Sequence, residues 1–207
     1  MRKSKVNLDK VKELYNSNVD EFGLDAKSVG WGTQEKQYLR FKKLLKVIDA
    51  KNEEFILNEL GCGYGELVRF LETKNYNYSA YYGYDISDKM IEAAKNYATF
   101  PNTDFFVSDK LITKADYTIT SGIFNVMFDE SKQNWNGYIE NTLEHMFEQS
   151  NKGIAFNLLT SYVDFEAPNL YYANPMYYFD FCKKHLSKYV NLIHDYNLYE
   201  WTITVNK

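Results

Sequence analysis

Twelve residues limit what this chain can fold into more than any others: Ile56-Leu57-Asn58-Glu59-Leu60-Gly61-Cys62-Gly63-Tyr64-Gly65-Glu66-Leu67. A short apolar run ends in a carboxylate, three glycines alternate, and an amphipathic segment (Leu67, Val68, Phe70, Leu71) follows. That order reads as strand, tight turn and helix, with glycines that permit positive φ and let a ligand approach the backbone. The spacing is G-x-G-x-G. Glu66 stands where the dinucleotide fingerprint G-x-G-x-x-G has its third glycine, so the loop points to a nucleotide-like ligand other than a nicotinamide dinucleotide.

The flanking sequence alternates in period. Leu8, Val11, Leu14, Tyr15, Val19 and Phe22 fall at helical spacing over about 8–22. Thr33 suits the cap of a second helix running to Asp49, with Tyr38, Phe41, Leu44, Leu45 and Ile48 on one face. Beyond it, β-branched and aromatic runs at 55–60, 80–84, 104–107, 117–120 and 154–158 alternate with helical segments at 66–73, 87–97 and 132–150. This alternation predicts a parallel sheet with helices on both faces. After a helix over 174–186, the runs 189–196 and 199–205 are separated only by Asn197-Leu198, and so short a link requires antiparallel pairing. Residues 1–50 are expected to form a helical cap or lid, and 51–207 one compact unit.

Bulk properties narrow the function. The 207 residues carry a net charge of −4, which gives no general attraction for nucleic acid or an anionic membrane. The basic start Met1-Arg2-Lys3-Ser4-Lys5 is not followed by an apolar stretch, and no run reaches membrane-spanning length, so a cytoplasmic protein is expected. Cys62 and Cys182 have no spacing relation that suggests a metal site or a disulfide framework. Aromatics reach 17%, with 19 Tyr and 14 Phe, enough for ordinary packing or for an aromatic-walled pocket.

Carboxylates recur at strand ends. Asp85 ends the second strand and can accept both ribose hydroxyls of an adenosine ligand; the competing role is to cap the next helix, for which Ser87 is a rival. The third strand ends in Ser108-Asp109, and the fourth opens into Ser121-Gly122-Ile123-Phe124-Asn125. In this order the motifs resemble those of the class I S-adenosylmethionine (SAM)-dependent methyltransferases. The resemblance implies a Rossmann-like α/β fold: a seven-stranded, mostly parallel sheet with a C-terminal antiparallel hairpin and an N-terminal helical lid. It implies SAM as cofactor and S-adenosylhomocysteine (SAH) as product. Glu59, Gly61, Gly63 and Gly65 would enclose the methionine part, Asp85 the ribose, Ile86 and Met90 the adenine faces, and Asp109 with Ser108 the adenine edge. Ser121 and Gly122 would line the cofactor. Tyr15 and Trp31 are candidates for an aromatic wall, since aromatic faces attract a sulfonium.

Methyl transfer requires alignment, exclusion of water and, for some acceptors, removal of a proton. Phe124 and Asn125 are placed to reach an acceptor. Glycines around Trp31 (Val29-Gly30-Trp31-Gly32) suggest an ordered lid, followed by Gln37 and Arg40; Arg40 suits an anionic substrate or, alternatively, a solvated helix face. Asn157 is an amide inside the apolar run Phe156-Asn157-Leu158-Leu159 and must be hydrogen-bonded, to structure or to substrate. His194, in the first predicted hairpin strand, is a candidate general base or a hydrogen-bonded sheet residue, with Tyr196 and Asn125 as further catalytic candidates. The whole pattern, from Val29-Gly30-Trp31 through Gln37 and Arg40 to His194-Asp195-Tyr196, resembles small bacterial methyltransferases of surface-polysaccharide or capsule pathways. That resemblance implies transfer to an O or N atom of a small polar metabolite of sugar, phosphate or phosphoramidate type, by a monomer or homodimer. No Asn/Asp-Pro-Pro-Tyr motif follows the fourth strand, which argues against a nucleic-acid acceptor. SAM binding without catalysis and nicotinamide-dependent oxidation are the alternatives.

Overall fold

The computed structural model describes residues 6–48 and 53–207; Met1–Lys5, Asp49 and the expected boundary at 50/51 lie outside the described residues. The glycine segment forms as its pattern requires: β1 (Phe55–Leu60), then the turn, then α3 (Glu66–Thr73). Around it run α1 (Asp9–Phe22), α2 (Gln34–Leu44), β2 (Tyr78–Asp85), α4 (Asp88–Tyr97), β3 (Thr103–Val107), β4 (Ala115–Thr120) and α5 (Lys132–Glu148). The C-terminal part holds β5 (Ser150–Thr160), β6 (Tyr172–Ala173), α6 (Pro175–His185), β7 (Tyr189–Ile193) and β8 (Glu200–Asn206).

All eight strands join one sheet in the order β3-β2-β1-β4-β5-β8-β7, with the two-residue β6 paired to β5 off that path. β1 to β5 run parallel, whereas β8 is antiparallel to both β5 and β7. The sheet is the Rossmann-like one expected, with one short strand beyond the expected seven. The hairpin differs in its link. β7 stops at Ile193 and β8 starts at Glu200, so residues 194–199 form the connection and His194 and Tyr196 lie in a loop instead of a strand. The chain leaves the ladder where Asp195 meets Lys43 Nζ at 2.6 Å and the Tyr196 hydroxyl meets Thr202 Oγ1 at 2.9 Å.

Strand alternation sends side chains into two cores. Phe41, Leu44, Phe55, Leu57, Leu67, Phe70, Tyr81 and Ile119 pack on the face covered by α2, α3 and α4. Trp135, Ile139, Leu143, Phe156, Leu158, Tyr178, Trp201 and Ile203 fill the face covered by α5 and α6. Both deeply buried tryptophans have partners for their N–H groups: Trp135 Nε1 donates to Phe124 O (2.9 Å) and Trp201 Nε1 to Ala173 O (3.1 Å). The N-terminal helices are fastened to this frame. Thr33 caps α2 by accepting from Lys36 N. On α1, Asn16 Oδ1 accepts from Ser87 Oγ at 2.6 Å, Lys12 pairs with Asp88 at 3.0 Å, and Asp20 pairs with Lys89, all on or beside α4.

Candidate functional site

The strand order reverses at β1, which has β2 on one side and β4 on the other. In open α/β sheets a crevice forms at the carboxyl ends of strands at such a switch point. A pocket that takes in about 660 Å³ of space, open solvent included, lies there, walled by Leu60, Gly61 and Gly63 at the end of β1, Asp85 and Ile86 at the end of β2, Ser108 and Asp109 after β3, and Ser121, Gly122 and Ile123 after β4. Met90 forms part of the floor, and Leu8, Val11, Tyr15 and Val29 from the N-terminal helices close it.

Asp85 organises the loop as well as the pocket. Its Oδ2 accepts from Gly63 N and its Oδ1 from Ser87 N, both at 2.9 Å. Ser87, the N-cap of α4, accepts from Met90 N at 3.0 Å, which leaves Asp85 on the pocket wall instead of capping the helix. Burial raises the Asp85 pKa, and the backbone N–H groups of Ser87, Gly63 and Ile86 oppose that rise. Tyr15 lies beside it, its phenol pushed up to about 12 by burial and by the Asp85 charge. The pocket fits an adenosyl ligand by one further sign. The Ser121 hydroxyl oxygen is buried with no hydrogen-bond partner. At Gly63 (φ +54°) and Gly122 (φ +77°) a Cβ would drive into Val29 and Trp31, at 2.8 Å from Val29 Cγ1 and 2.5 Å from Trp31 Cζ2.

Other sequence candidates lie behind this wall. Gly65 is a packing glycine, because a Cβ there would meet Ala98 at 2.8 Å and Phe105 at 3.2 Å. Glu59 is buried and accepts from the Tyr81 hydroxyl; desolvation first, and the Asp85 charge after it, raise its pKa to about 8 against the opposing pull of that hydrogen bond. Trp31 lies over Gly122 from outside and carries the Arg40 guanidinium on its face, 3.7 Å from the ring centroid. Arg40 neither faces solvent nor enters the cavity. Its Nε donates to both Glu200 oxygens at 3.0 and 2.9 Å, and Nη1 donates to Lys36 O. Asn157 Nδ2 donates to Glu200 Oε2 at 2.7 Å, and Asn157 Oδ1 accepts from Gly122 N at 2.9 Å. Arg40, Glu200 and Asn157 are only 6%, 1% and 0% exposed, so this polar line is sealed inside the protein.

The acceptor-side candidates also take structural partners. Gln37 is buried and its Oε1 accepts from the Tyr64 hydroxyl at 3.4 Å. Phe124 does not reach the pocket: it is fully buried edge-to-face against Tyr138, at 6.0 Å between centroids. Asn125 Oδ1 accepts from Leu159 N at 3.3 Å. His194 is exposed and stacks on Tyr162 at 6.0 Å, and the Tyr196 hydroxyl is held by Thr202, with burial raising its pKa. None of Asn125, His194 and Tyr196 is among the cavity walls.

Residues 58–148 match the family model of a methyltransferase domain. The chain is 40% identical over 166 residues to a Mycobacterium tuberculosis (strain ATCC 25618 / H37Rv) protein named "Putative methyltransferase Rv1506c", a match that covers 79% of this chain and 99% of that one. The chain belongs to the methyltransferases. Its fold is shared with magnesium protoporphyrin IX methyltransferase of Synechocystis PCC 6803, solved with bound SAM, at a TM-score of 0.68 and 14% identity over 99% of both chains. It is shared equally with human N-acetylserotonin methyltransferase, solved with SAM (TM-score 0.68, 16% identity, 98% of this chain and 60% of that one).

In this methyltransferase several wall residues escaped the sequence reading. Leu8 and Val11 share the α1 face of Tyr15, so the helical spacing that exposed Tyr15 contained the signal for them. Tyr138 reaches the pocket from α5, where nothing local separates it from core aromatics; burial and the Asp109 charge push its phenol up to about 12. Glu66, first read only as a missing glycine, is buried and accepts from Gln34 Nε2 (3.0 Å) and from the Tyr38 hydroxyl (2.8 Å), fastening α2 to α3. Among the described residues no helix is long and apolar enough to cross a membrane, and no cluster of three or more His, Cys, Asp or Glu side chains could hold a metal.

Proposed function

We propose that this methyltransferase moves the methyl group of SAM to an oxygen or nitrogen of a small polar acceptor. The sequence likeness to capsule-pathway enzymes favours an acceptor of sugar, phosphate or phosphoramidate type. The observation that carries the reading is the crevice at the strand switch point, with the Asp85 carboxylate and the unpartnered Ser121 hydroxyl on its wall. When bound there, SAM supplies an electrophilic methyl on a sulfonium.

The protein's own groups do the rest. Asp85 accepts ribose hydroxyls on the lone pairs left by Gly63 N and Ser87 N. Ile86 and Met90 hold the adenine faces, and Asp109 with Ser108 its edge. Gly61, Gly63 and Gly122 bring the backbone to the cavity wall, and Tyr15, Val29 and Trp31 keep water out. Glu59, protonated near neutral pH, stiffens β1 behind the loop through Tyr81. No His, Lys, Arg or Cys is among the cavity walls in the described residues, so the reading assigns catalysis to alignment and water exclusion, with no proton transfer to His194.

Calorimetry with SAM, SAH and NADH tests the cofactor: SAM and SAH should bind and NADH should not. NADH binding in place of SAH would reverse the reading. A screen of phosphorylated and unphosphorylated sugars by SAH release tests the acceptor. With a turned-over acceptor, pH–rate profiles of wild type and His194→Ala should superimpose; a lower rate with loss of the acidic limb in the variant would restore His194 as the base.

A further inference from the structure

We propose that the half-buried Trp31 and the buried Arg40, Glu200 and Asn157 form a positioning relay that couples seating of the N-terminal lid to the backbone of Gly122. The inference rests on the methyltransferase reading and adds to it a device for setting the pocket's β4 side.

The line is continuous. Trp31 lies against Gly122 from outside, where a Cβ on that glycine would overlap the indole ring. The Arg40 guanidinium lies 3.7 Å from the indole centroid and binds Glu200 through two donors, Nε to both carboxylate oxygens and Nη2 to Oε1. Glu200 Oε2 accepts from Asn157 Nδ2 at 2.7 Å, and Asn157 Oδ1 accepts the N–H of Gly122 at 2.9 Å. Gly122 is therefore held twice, by an indole on its Cα side and by an amide on its N–H, and both holders meet at the Arg40–Glu200 pair. The register explains the placement: Glu200 pairs with Leu159 and Thr202 with Asn157, so Asn157 and Glu200 project from the same face of the sheet, next to α2.

Chemistry favours such a coupling. A guanidinium bound to a carboxylate by parallel N–H donors has one preferred plane, and the same plane stacks on an aromatic face. Turning Trp31 away from Gly122 uncovers the guanidinium and tilts it off Glu200, which in turn frees the Asn157 amide to rotate. Each step leaves a buried polar group less well paired, so the line favours two discrete arrangements over a continuous one. Gly122 and Ser121 wall the cavity, so the relay bears on ligand affinity without any of its four side chains having to touch the ligand.

A double-mutant cycle on SAH affinity tests this, with Trp31→Phe at one end and Glu200→Gln at the other, each checked for a cooperative thermal transition. Each single change is expected to weaken SAH binding about tenfold, and the double variant no more than either alone, since residues of one network are non-additive. A double effect equal to the product of the singles overturns the relay. Wild-type protein that fails to bind SAH overturns the methyltransferase reading instead. If Glu200→Gln does not fold, Asn157→Ser takes its place in the cycle with the same two outcomes. As a second readout, Trp31 emission, taken as the difference from Trp31→Phe in each background, should shift to the red in Asn157→Ser. Unchanged emission also overturns the relay, because local loosening at Asn157 alone would not reach the indole.

Discussion

The two Asp85 oxygens proposed to take the ribose also hold the polypeptide, one bonded to Gly63 N in the glycine loop and the other to Ser87 N before α4. Removing the carboxylate therefore frees a loop N–H and, in the proposed reading, deletes the ribose acceptor with it. Charge-assisted hydrogen bonds contribute about 1.5–3 kcal/mol each, so Asp85→Ala should lower SAH affinity by roughly 100-fold or more in calorimetry. Affinity within threefold of wild type would remove Asp85 from the site. Glu59 makes a separate, pH-dependent prediction. Its folded pKa of about 8 exceeds the ordinary 4.5, so across that window the folded state binds more protons than the unfolded one. The Glu59 contribution to stability is then complete below about pH 4.5 and is lost as pH rises through about 8, with a slope of at most about 1.4 kcal/mol per pH unit. Thermal unfolding of wild type against Glu59→Gln from pH 5 to 8.5 should show the variant gaining on wild type as pH rises. Parallel curves would mean that Glu59 titrates normally.

At the scale of elements, the loops after β1 and β4 are shaped by what the N-terminal helices rest on them. Gly122 sits at φ +77° under Trp31, whereas Gly23 sits at φ +62° with open space where a Cβ would go. Gly→Ala strains a positive-φ backbone at either position, by about 1 kcal/mol or more, but only Gly122→Ala also lifts Trp31. Gly122→Ala should thus weaken SAH binding at least tenfold while Gly23→Ala leaves it unchanged, although both lower the melting temperature. Equal affinities would separate Trp31 from the pocket. The same elements show where sequence was informative. β1 and α3 begin and end where the strand–glycine–helix pattern puts them, because period, turn and cap agree within a dozen residues. β6 has two residues and no period to read. Asn197-Leu198 looked like a tight turn, but the chain leaves the ladder earlier, drawn off by the long-range contacts of Asp195 with Lys43 and of Lys43 with Tyr196. Tyr138 on α5 and the partners of Arg40 and Asn157 were hidden for the same reason: each depends on a pairing across many intervening residues, which no local pattern encodes.

Across the whole molecule, one ion pair joins the N-terminal helical region to a C-terminal strand: Arg40 and Glu200, 160 positions apart in sequence. Both are almost wholly buried, so water does not screen the pair as it would at the surface. Taking two charges out of water is costly, and the geometry recovers that cost only while both partners are present. Arg40→Met leaves the Glu200 carboxylate with the Asn157 amide as its remaining hydrogen-bond donor among those described here, so it should destabilise the fold by about 3–5 kcal/mol in urea titrations. That is a large share of the roughly 5–15 kcal/mol typical of a domain. Glu200→Leu should cost a similar amount, through the unpaired guanidinium and the orphaned Asn157 amide. The double variant Arg40→Met, Glu200→Leu removes both charges and should recover most of the loss, remaining about 1–3 kcal/mol below wild type because Asn157 Nδ2 still lacks its acceptor. Its affinity for SAH should stay low, since the link from Trp31 to Asn157 is gone even where stability returns. A double variant as unstable as the two losses added would show that Arg40 and Glu200 act through separate contacts, and singles costing under about 1 kcal/mol would show that the pair is wet.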